Sequence, residues 1–588
     1  MARATSEAGD VPTIAFVAEV DRCPVCGEAP KVYKTRSRQV ITLEAGPFRA
    51  VETLKRCSKD PTHPVVGSYA LARLVLPRQR YGYDLITAVG CARYLENKQR
   101  EEIQAELYRE HGITLSTGSI SNICDRFLIY LEALHLARVP QLRAAQAEGY
   151  PLHIDATCEF GKGGLFVCMD GWRGWVLVAQ RIPSECEEYL RPPIEQTTRL
   201  FGEPVAVVRD MGAGGAKAVA PLRDKGVPDL VCHFHFLAAV GKKLFDQPYR
   251  LLRNLLKSSK VRTDLRDLLR DLRGYSASSP REGRFGKGVV REDLMALVLW
   301  ILEGDGSKDP LYPFGLVHLD FYQRCQAALQ RSQHWVQGIR TQPERRALNY
   351  LATLARRLDK DDRFTTAVAR LDVGWLAFCE LRDVLQLSNA ELPRADVRQQ
   401  QRALATLQAR QLCEIETALS DYRADLAERV AAPEEPVSPT TSASAVIVKY
   451  LDRYANHLFG HPLRYDGEGE AVGIVERTNN VLEHFFGSEK QRLRRRLGRA
   501  NLGRDLEDQP AQAALAANLR HPDYVRVLCG SLDHLPLAFS ELDEQAFGLA
   551  SSLSRSNRDS SLQRRIRTLL RGEKLPIQGP EIENPTVV

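Results

Sequence analysis

The sequence has no uninterrupted apolar run that approaches the roughly 20 residues a helix needs to span a bilayer. Its first residues, MARATSEAGD, also lack the apolar h-region of a secretory signal peptide. These two absences remove membrane and secretory proteins from our expectation. We therefore predict a cytoplasmic protein without a membrane partner.

The sequence also lacks a disulfide framework and a strong charge of one sign. Its 13 cysteines are odd in number and scattered over 588 residues, unlike the dense, even set of a small secreted domain. We expect reduced thiols, of which a minority bind metal. The formal net charge of +7 is a mild basic excess, which permits binding to a polyanion without requiring it.

A complete phosphate-binding loop is missing as well. Residues 212–217 read GAGGAK, which departs from the G-x-x-x-x-G-K-[ST] spacing, and Ala218 stands where a metal-holding hydroxyl would be. This departure excludes a P-loop nucleotidase. A helix start is sufficient to explain these glycines.

What the sequence does contain is a buried strand that ends on an acid. Residues 205–208 form an apolar run, and Asp210 follows it. Residues 212–216 then open a helix, and 230–232 form a second apolar run. This order predicts a βαβ unit with a carboxylate at the carboxyl end of its first strand. In open α/β sheets ligands gather at the carboxyl ends of the strands, so this acid is a candidate functional residue.

A second acid lies in a predicted strand upstream. Residues 152–157 (LHIDAT) place Asp155 in a short apolar strand, and two more strand-like runs follow at 164–169 and 174–182. Together with the βαβ unit these strands make a mixed five-stranded sheet. Asp155 and Asp210 would then lie side by side, where two carboxylates repel each other unless a divalent cation lies between them. Hard oxygen ligands select Mg²⁺ or Mn²⁺.

Three further motifs follow these acids in a fixed order. Residues 232–235 read CHFH, residues 478–483 read TNNVLE, and a basic run, KQRLRRRLGR, occupies 490–499. The order of the parts resembles that of DDE-type transposases, whose catalytic domain is RNase H-like. The C-x-x-H motif is similar to that of hAT and Mutator type transposases, and TNN-x-x-E followed by a basic run is similar to that of insertion-sequence transposases.

The resemblance implies a set of active-site residues. The family's third acid falls on Glu483, so Asp155, Asp210 and Glu483 would hold Mg²⁺ or Mn²⁺ ions for attack on a phosphodiester. It also gives supporting roles in the active site to Cys232, His235 and Asn480. For Cys232 and His235 the alternative is that they bind a metal together with a partner elsewhere in the chain.

Alternatives to two of the three acids remain open. If 474–486 is a helix, Glu476, Asn480 and Glu483 lie on one side of it at i, i+4 and i+7, so Glu476 is also a candidate third acid. Glu159 and Asp170, the spare acids of the first two strands, are alternatives to Asp155.

A zinc ribbon is predicted upstream of these elements. A C-P-x-C-G knuckle and a C-x5-H segment flank short strands at 31–33, 40–43 and 48–51, which suggests two hairpins held at one end by a metal. The predicted Zn²⁺ ligands are Cys23, Cys26, Cys57 and His63. The alternative is that the first two cysteines are incidental thiols.

A helix-turn-helix is predicted after the zinc ribbon. Residues 101–110 form an amphipathic helix, Gly112 suits a left-handed turn, and Ser116 or Thr117 caps a second helix over 119–134. The second helix would offer four polar residues to DNA: Ser119, Ser121, Asn122 and Arg126. An ordinary helical hairpin remains the alternative.

The predicted architecture is multidomain, with an α/β RNase H-like core interrupted by a large all-helical insertion. Asp210 and Glu483 are 273 positions apart, too far for a minimal core, and the chain between them has a helical period. The predicted segments are a flexible terminus (1–12), the zinc ribbon (13–66), the helix-turn-helix domain (67–145), the first part of the core (146–245), the insertion (246–430), a linker (431–445), the second part of the core (446–548) and a polar tail (549–588).

The densest positive cluster of the chain follows the predicted third acid. Its six cations are Lys490, Arg492, Arg494, Arg495, Arg496 and Arg499. So many cations within ten residues repel one another unless a polyanion is near, and the arginine fork suits phosphate. We predict that this cluster contacts the DNA backbone.

The function that these expectations describe is a DDE transposase, which would bind transposon ends and catalyse metal-dependent cleavage and transfer of DNA strands. Its partners would be the double-stranded DNA of transposon ends and target, with a homodimer or higher oligomer pairing two ends in the nucleoid. Two alternatives are a non-catalytic DNA-binding protein derived from a transposase and a structure-specific RNase H-like nuclease.

Overall fold

The computed structural model describes most of the chain. The described residues are 11–157, 164–277, 289–304, 311–332, 342–387, 399–431, 443–467, 469–499, 502, 505 and 508–547. The predicted flexible terminus (1–12), linker (431–445) and polar tail (549–588) therefore lie wholly or largely outside the described residues. Within them the chain is mixed α/β and mostly helical.

The chain divides into two compact units. The first combines residues 1–230 with 461–588, and the second runs from Val231 to Gly460. The predicted helical insertion, 246–430, falls inside the second unit.

A three-stranded sheet begins the first unit. Its strands are β1 (Thr13–Val17), β2 (Pro30–Thr42) and β3 (Gly46–Cys57). β2 and β3 form one long antiparallel hairpin, and β1 pairs in parallel with β3. The prediction of two hairpins is wrong. The polar residues between the apolar segments also pair between β2 and β3, and their side chains face solvent on one side of the sheet. Val40, Phe48 and Ala50 face α1 (Tyr69–Leu74) from the other side of the sheet.

Four helices follow before the central sheet. They are α2 (Tyr83–Tyr94), α3 (Arg100–His111), α4 (Thr117–Ala137) and α5 (Val139–Ala144). Gly112 ends α3 with a φ of 63°, and the Ser116 side chain accepts a hydrogen bond from the Ser119 backbone N–H at the start of α4. The predicted pair of helices, with its glycine turn and hydroxyl cap, is therefore confirmed.

A mixed five-stranded sheet forms the centre of the first unit, as predicted. Its strands are β4 (Pro151–Thr157), β5 (Gly164–Asp170), β6 (Trp175–Ile182), β7 (Ala206–Arg209) and β8 (Asp229–Val231). The spatial order is β6-β5-β4-β7-β8, with β4, β5 and β6 antiparallel and β7 parallel to β4. The helices between the later strands are α6 (Glu187–Phe201), α7 (Ala213–Ala218) and α8 (Ala220–Arg223).

The C-terminal part of the first unit returns to this sheet. It contains a hairpin of β9 (Leu463–Tyr465) and β10 (Ala471–Ile474), then α17 (Asn480–Leu497), a 3₁₀ helix (Ala511–Arg520), α18 (Pro522–Cys529), a short 3₁₀ turn (Leu532–His534) and α19 (Leu535–Phe547). The prediction of a helix over 474–486 is wrong at its start. Residues 471–474 form a strand, and the helix begins only at Asn480.

One apolar core joins the helices of the first unit to its central sheet. Buried side chains from α2 and α4, such as Phe127, belong to the same cluster as Val167 of β5 and Phe539 of α19. Phe127 contacts the Phe539 ring edge to face, with ring centres 6.0 Å apart. The helices after the N-terminal sheet and the central sheet therefore share one interior.

The described part of the second unit consists of helices. They are α9 (His233–Ser258), α10 (Val261–Ala277), α11 (Val289–Glu303), α12 (Val317–Ser332), α13 (Gln342–Lys360), α14 (Asp362–Val384), α15 (Gln399–Ala431), α16 (Ala443–Tyr454) and a 3₁₀ turn (Ala455–His457). Phe245 of α9 packs against Phe378 of α14, with ring centres 5.3 Å apart. The prediction of helices between the second and third acids is confirmed for these residues.

No helix in the described ranges is both long and apolar enough to cross a membrane. The described cysteines, which include all but Cys158, are free thiols rather than disulfides.

Candidate functional site

The central sheet places two of the predicted acids on neighbouring strands in register. In the parallel pairing of β4 with β7, Leu152 lies opposite Val207 and His153 opposite Val208. The same offset carried two residues further puts Asp155 opposite Asp210, which directly follows β7. Leu152 and Ile154 are part of the apolar core. Because side chains alternate along a strand, His153 and Asp155 lie on the other face of the sheet.

The third predicted acid, Glu483, reaches the same place from α17. A carboxylate oxygen of Glu483 lies within 4.8 Å of one on Asp155. Glu483 is in the first turn of its helix, and its backbone N–H donates to the Asn479 carbonyl at 3.1 Å. Strand pairing and the start of one helix thus bring together carboxylates that the sequence separates widely.

The neighbouring acids contribute to the electrostatic environment of Asp155. Burial, together with the charges of Asp210, Glu483 and Glu185, raises the pKa of Asp155 to about 8. The Ala156 backbone N–H partly opposes this rise by donating to the Asp155 carboxylate. Carboxylates held together in this way gain from a bound cation, because the cation removes their mutual repulsion.

Asp210 is held in place by the turn that follows it. The Gly212 backbone N–H donates to Asp210 Oδ1 at 3.0 Å. The preceding residue, Arg209, makes a buried bidentate ion pair with Asp229 of β8 at 2.6 and 2.9 Å, and it donates to the Asp210 carbonyl at 2.8 Å. The backbone on both sides of the acid is therefore fixed.

The alternative acids have other surroundings. Asp170 is fully buried and accepts hydrogen bonds from Gln146 and Arg173, with Arg173 Nη1 at 3.0 Å, so it stabilises the end of β5. Glu476 precedes α17 instead of lying on it, which removes the helical spacing that made it a candidate. Burial raises its pKa. Glu159 lies outside the described residues.

The three residues predicted to support the active site fall in different places. Cys232 is buried and stands at the N-cap of α9, and His235 is half-buried in the first turn of that helix. Both belong to the second unit. Asn480 is the first residue of α17 and is exposed, whereas its neighbour Asn479 is fully buried.

The four predicted zinc ligands come together at one end of the β2–β3 hairpin. The ligand atoms of Cys23, Cys26, Cys57 and His63 all lie within 4.8 Å of one another. Gly27 has a φ of 72°, and its N–H donates to the Cys23 carbonyl at 2.9 Å, which closes the knuckle. Hydrogen bonds from the backbone N–H groups of Asp60 and Lys59, together with those from His63 and Cys26, lower the pKa of the Cys57 thiol to about 6. Three sulfurs and one imidazole at these distances form a group that could hold a metal ion such as zinc.

The polar residues predicted to contact DNA lie on the part of α4 that faces away from the core. Asn122 is exposed, and Ser119 and Arg126 are half-buried. Ser121 accepts a hydrogen bond from Arg100 of α3 at 3.1 Å. The opposite side of α4, which includes Ile123 and Phe127, lies in the apolar core.

The basic cluster at the end of α17 and just after it is largely paired with acids of the same unit. Arg495 contacts Glu102 of α3 at 2.7 Å, Arg492 contacts Glu489 at 2.6 Å, and Arg499 contacts Asp505 at 3.2 Å. Arg496 is buried against the Tyr94 ring, 5.1 Å from its centre. Lys490 and Arg494 are half-buried. The expected mutual repulsion is thus reduced within the protein itself.

Sequence reasoning missed three residues of the candidate site. His153 and Asn479 form a buried hydrogen bond beside Asp155, and Glu185 precedes α6, where burial and the charge of Asp210 raise its pKa. A signal for His153 was present, since it lies two positions before Asp155 on the same strand. Asn479 stood inside the TNN motif, but nothing in the motif indicated which asparagine is buried.

Comparison of the sequence with protein-family models found no family model that matches it. A search of curated proteins likewise found no significant match. The functional assignment therefore depends on the residues and on the geometry of the site.

Proposed function

We propose that this protein is a DDE-type transposase, in which the central sheet and α17 form an RNase H-like catalytic core. The observation that carries the proposal is the position of Asp155 in a mixed sheet ordered β6-β5-β4-β7-β8: it lies on the strand next to the one that Asp210 follows, and a Glu483 carboxylate oxygen lies within 4.8 Å of its own. The chain order of the acids, with helices inserted between the second and third, supports the same assignment.

The donor set fits Mg²⁺ or Mn²⁺. All three side chains offer hard carboxylate oxygens, and burial together with the charges of the other two raises the pKa of Asp155. Asp155, Asp210 and Glu483 would hold the ions. When bound, such ions lower the pKa of an attacking water or 3′-hydroxyl and offset the charge that develops on the phosphodiester.

The Cys₃His group of the N-terminal sheet would hold a structural Zn²⁺. Its soft thiolate donors match the ligand set of closed zinc sites, in contrast to the oxygen donors of the central sheet. We assign this sheet and the exposed side of α4 to recognition of the transposon ends.

DNA would also contact α17, where phosphates would compete with acids such as Glu102 for the arginines. Arg495 and Arg499 are exposed, which leaves their guanidinium groups within reach of a phosphate backbone. Pairing of two transposon ends would require a homodimer or higher oligomer in the cytoplasm, on the nucleoid.

Strand transfer by the full-length protein tests this proposal. The substrate is a plasmid that carries the gene's own flanking sequence, and the reactions contain Mg²⁺ or Mn²⁺. We expect the wild type to cut and join strands, and Asp210→Asn to lose activity by at least about 10³-fold while it still binds the same DNA.

Other outcomes support the alternatives. Cleavage without joining indicates a structure-specific nuclease. DNA binding without any metal-dependent chemistry indicates a non-catalytic derivative. Full activity of Asp210→Asn contradicts the proposed site.

A further inference from the structure

The buried contact between Asn479 and His153 links β4, the strand that carries Asp155, to the helix that carries Glu483. Asn479 Oδ1 lies 2.9 Å from His153 Nδ1, and Asn479 Nδ2 donates to the Ile154 carbonyl at 3.2 Å. Neither residue is more than 1% exposed. The side chain of one asparagine thus forms hydrogen bonds with the two consecutive residues of β4 that precede Asp155.

The backbone of the same asparagine begins α17. The Asn479 carbonyl accepts from the N–H groups of Leu482 and Glu483, at 3.0 and 3.1 Å. Any shift of Asn479 away from β4 would therefore move the first turn of the helix, and with it the Glu483 carboxylate relative to Asp155.

The hydrogen-bond directions in this contact are fixed by chemistry. A peptide carbonyl only accepts, so the amide nitrogen of Asn479 must face Ile154 and its oxygen must face His153. His153 Nδ1 therefore carries the proton and donates. The His153 ring is enclosed on its other side by the turn after β5, where a Cβ on Gly171 would lie 2.3 Å from Nε2.

We propose that Asn479 and His153 are positioning residues, which dock the start of α17 on β4 so that Glu483 and Asp155 can share a divalent cation. This inference rests on the proposed function, and it assigns the two residues no direct contact with the cation or with DNA. Removing partners that orient ligand groups commonly reduces metal affinity by about 10- to 100-fold.

The chain offers a matched control for loss of stability. Asn518 is also fully buried, and its side chain accepts from the Val176 N–H at 2.7 Å and donates to the Val176 carbonyl at 2.8 Å. It attaches the 3₁₀ helix (Ala511–Arg520) to β6, at the opposite edge of the sheet order from β7 and β8. Asn518→Ala therefore removes a similar pair of buried hydrogen bonds without changing any contact at the start of α17.

The test measures Mn²⁺ binding by the full-length protein without DNA, as the rise in melting temperature over a Mn²⁺ titration. We expect Asn479→Ala to need at least about tenfold more Mn²⁺ than the wild type for half of the maximal rise. Asn518→Ala is expected to melt earlier in EDTA but to keep the wild-type Mn²⁺ midpoint. Hydrogen exchange at Leu482 and Glu483 should be faster in Asn479→Ala alone.

His153→Leu is the second variant, for use also if Asn479→Ala does not fold. It keeps the bond from Asn479 to Ile154 but removes the imidazole donor, so we expect a smaller change in the Mn²⁺ midpoint in the same direction. The double variant should need no more Mn²⁺ than Asn479→Ala alone, because both changes break one shared contact.

The outcomes separate this inference from the proposed function. If Glu483→Ala abolishes the Mn²⁺ response, but Asn479→Ala and His153→Leu both keep the wild-type Mn²⁺ midpoint, the positioning role alone is overturned. Equal shifts of the midpoint in Asn479→Ala and Asn518→Ala also overturn it. A wild type without any Mn²⁺ response overturns both proposals.

Discussion

Arg209 and Asp229 form a buried ion pair at the end of β7, directly before the second acid of the candidate site. The arginine is 2% exposed and the aspartate 6% exposed, and two hydrogen bonds join them. Arg223 adds a longer contact to Asp229 at 3.5 Å. Loss of one member of such a pair leaves the other charge buried without compensation, which costs far more than loss of a surface pair.

We predict that Arg209→Met lowers the free energy of unfolding by about 3–5 kcal/mol, measured by chemical denaturation. The control is Lys225→Met, which removes an exposed pair with Glu203 and should cost less than about 1 kcal/mol. Similar losses in the two variants would contradict the assignment of a strong structural role to Arg209.

Single residues show what the sequence could and could not reveal. Asp155 and Asp210 are predictable candidates because each stands at a recognisable place in or directly after an apolar strand, and the Cys₃His group is predictable because of its short spacings. Glu483 followed from the family resemblance. The contact of His153 with Asn479 joins positions 326 apart, and no local pattern encodes such a pairing.

The close approach of helices α2 and α4 depends on a glycine. A Cβ on Gly90 would lie 2.1 Å from the ring of Phe127, which is fully buried. The two helices pack at this point because Gly90 leaves room for the aromatic ring. Phe127 also stacks on Tyr94, with ring centres 6.0 Å apart, so its position affects several neighbours.

Gly90→Ala should destabilise the protein by about 1–3 kcal/mol, because the added methyl group overpacks the interface between the two helices. Gly487→Ala provides the opposite case. Gly487 is exposed in the middle of α17 with nothing near its missing Cβ, so alanine there should stabilise the helix by about 0.5–1 kcal/mol. Thermal melting of both variants checks these two predicted changes in stability. A gain in stability for Gly90→Ala would contradict the close packing of α2 against α4.

Helix boundaries were the least predictable feature of the elements. The strands of the central sheet and the helices α3 and α4 follow their apolar periods and turn residues. The start of α17 does not follow its apolar period, because Val475 packs into a small apolar cluster with Ala206, Val208 and Leu230. The Val475 N–H also donates to the Pro462 carbonyl at 2.9 Å. Tertiary packing thus keeps Glu476 out of a helix that its local spacing favours.

At the scale of the whole molecule, the chain presents two chemically distinct metal-binding candidates. One is the Cys₃His group of the N-terminal sheet, and the other is the carboxylate set of the central sheet. Thiolates and imidazole select zinc, whereas carboxylates select magnesium or manganese. Their independence could be anticipated from the sequence, because the two ligand sets lie in separate segments. The apolar core shared by the helices of the first unit and the central sheet could not be anticipated from the sequence, because it depends on contacts between distant segments.

We predict that the purified wild type contains about one zinc per chain, as expected for a closed site with four ligands. Cys57→Ser should lose this zinc, whereas Asp210→Asn should keep it, because the carboxylates belong to the other site. Metal analysis by mass spectrometry measures both contents. Zinc that persists in Cys57→Ser, or that is lost in Asp210→Asn, would contradict the separation of the two sites.

We propose above that Asp155, Asp210 and Glu483 form one divalent-cation site. Cleavage of the polypeptide directed by bound Fe²⁺, in the presence of ascorbate and peroxide, tests this claim without knowledge of the DNA substrate. We predict cuts close to these three residues in the wild type, which excess Mg²⁺ suppresses and which Asp210→Asn abolishes. Cuts confined to other parts of the chain, or cuts near Asp155 that neither Mg²⁺ nor Asp210→Asn changes, would contradict the claim.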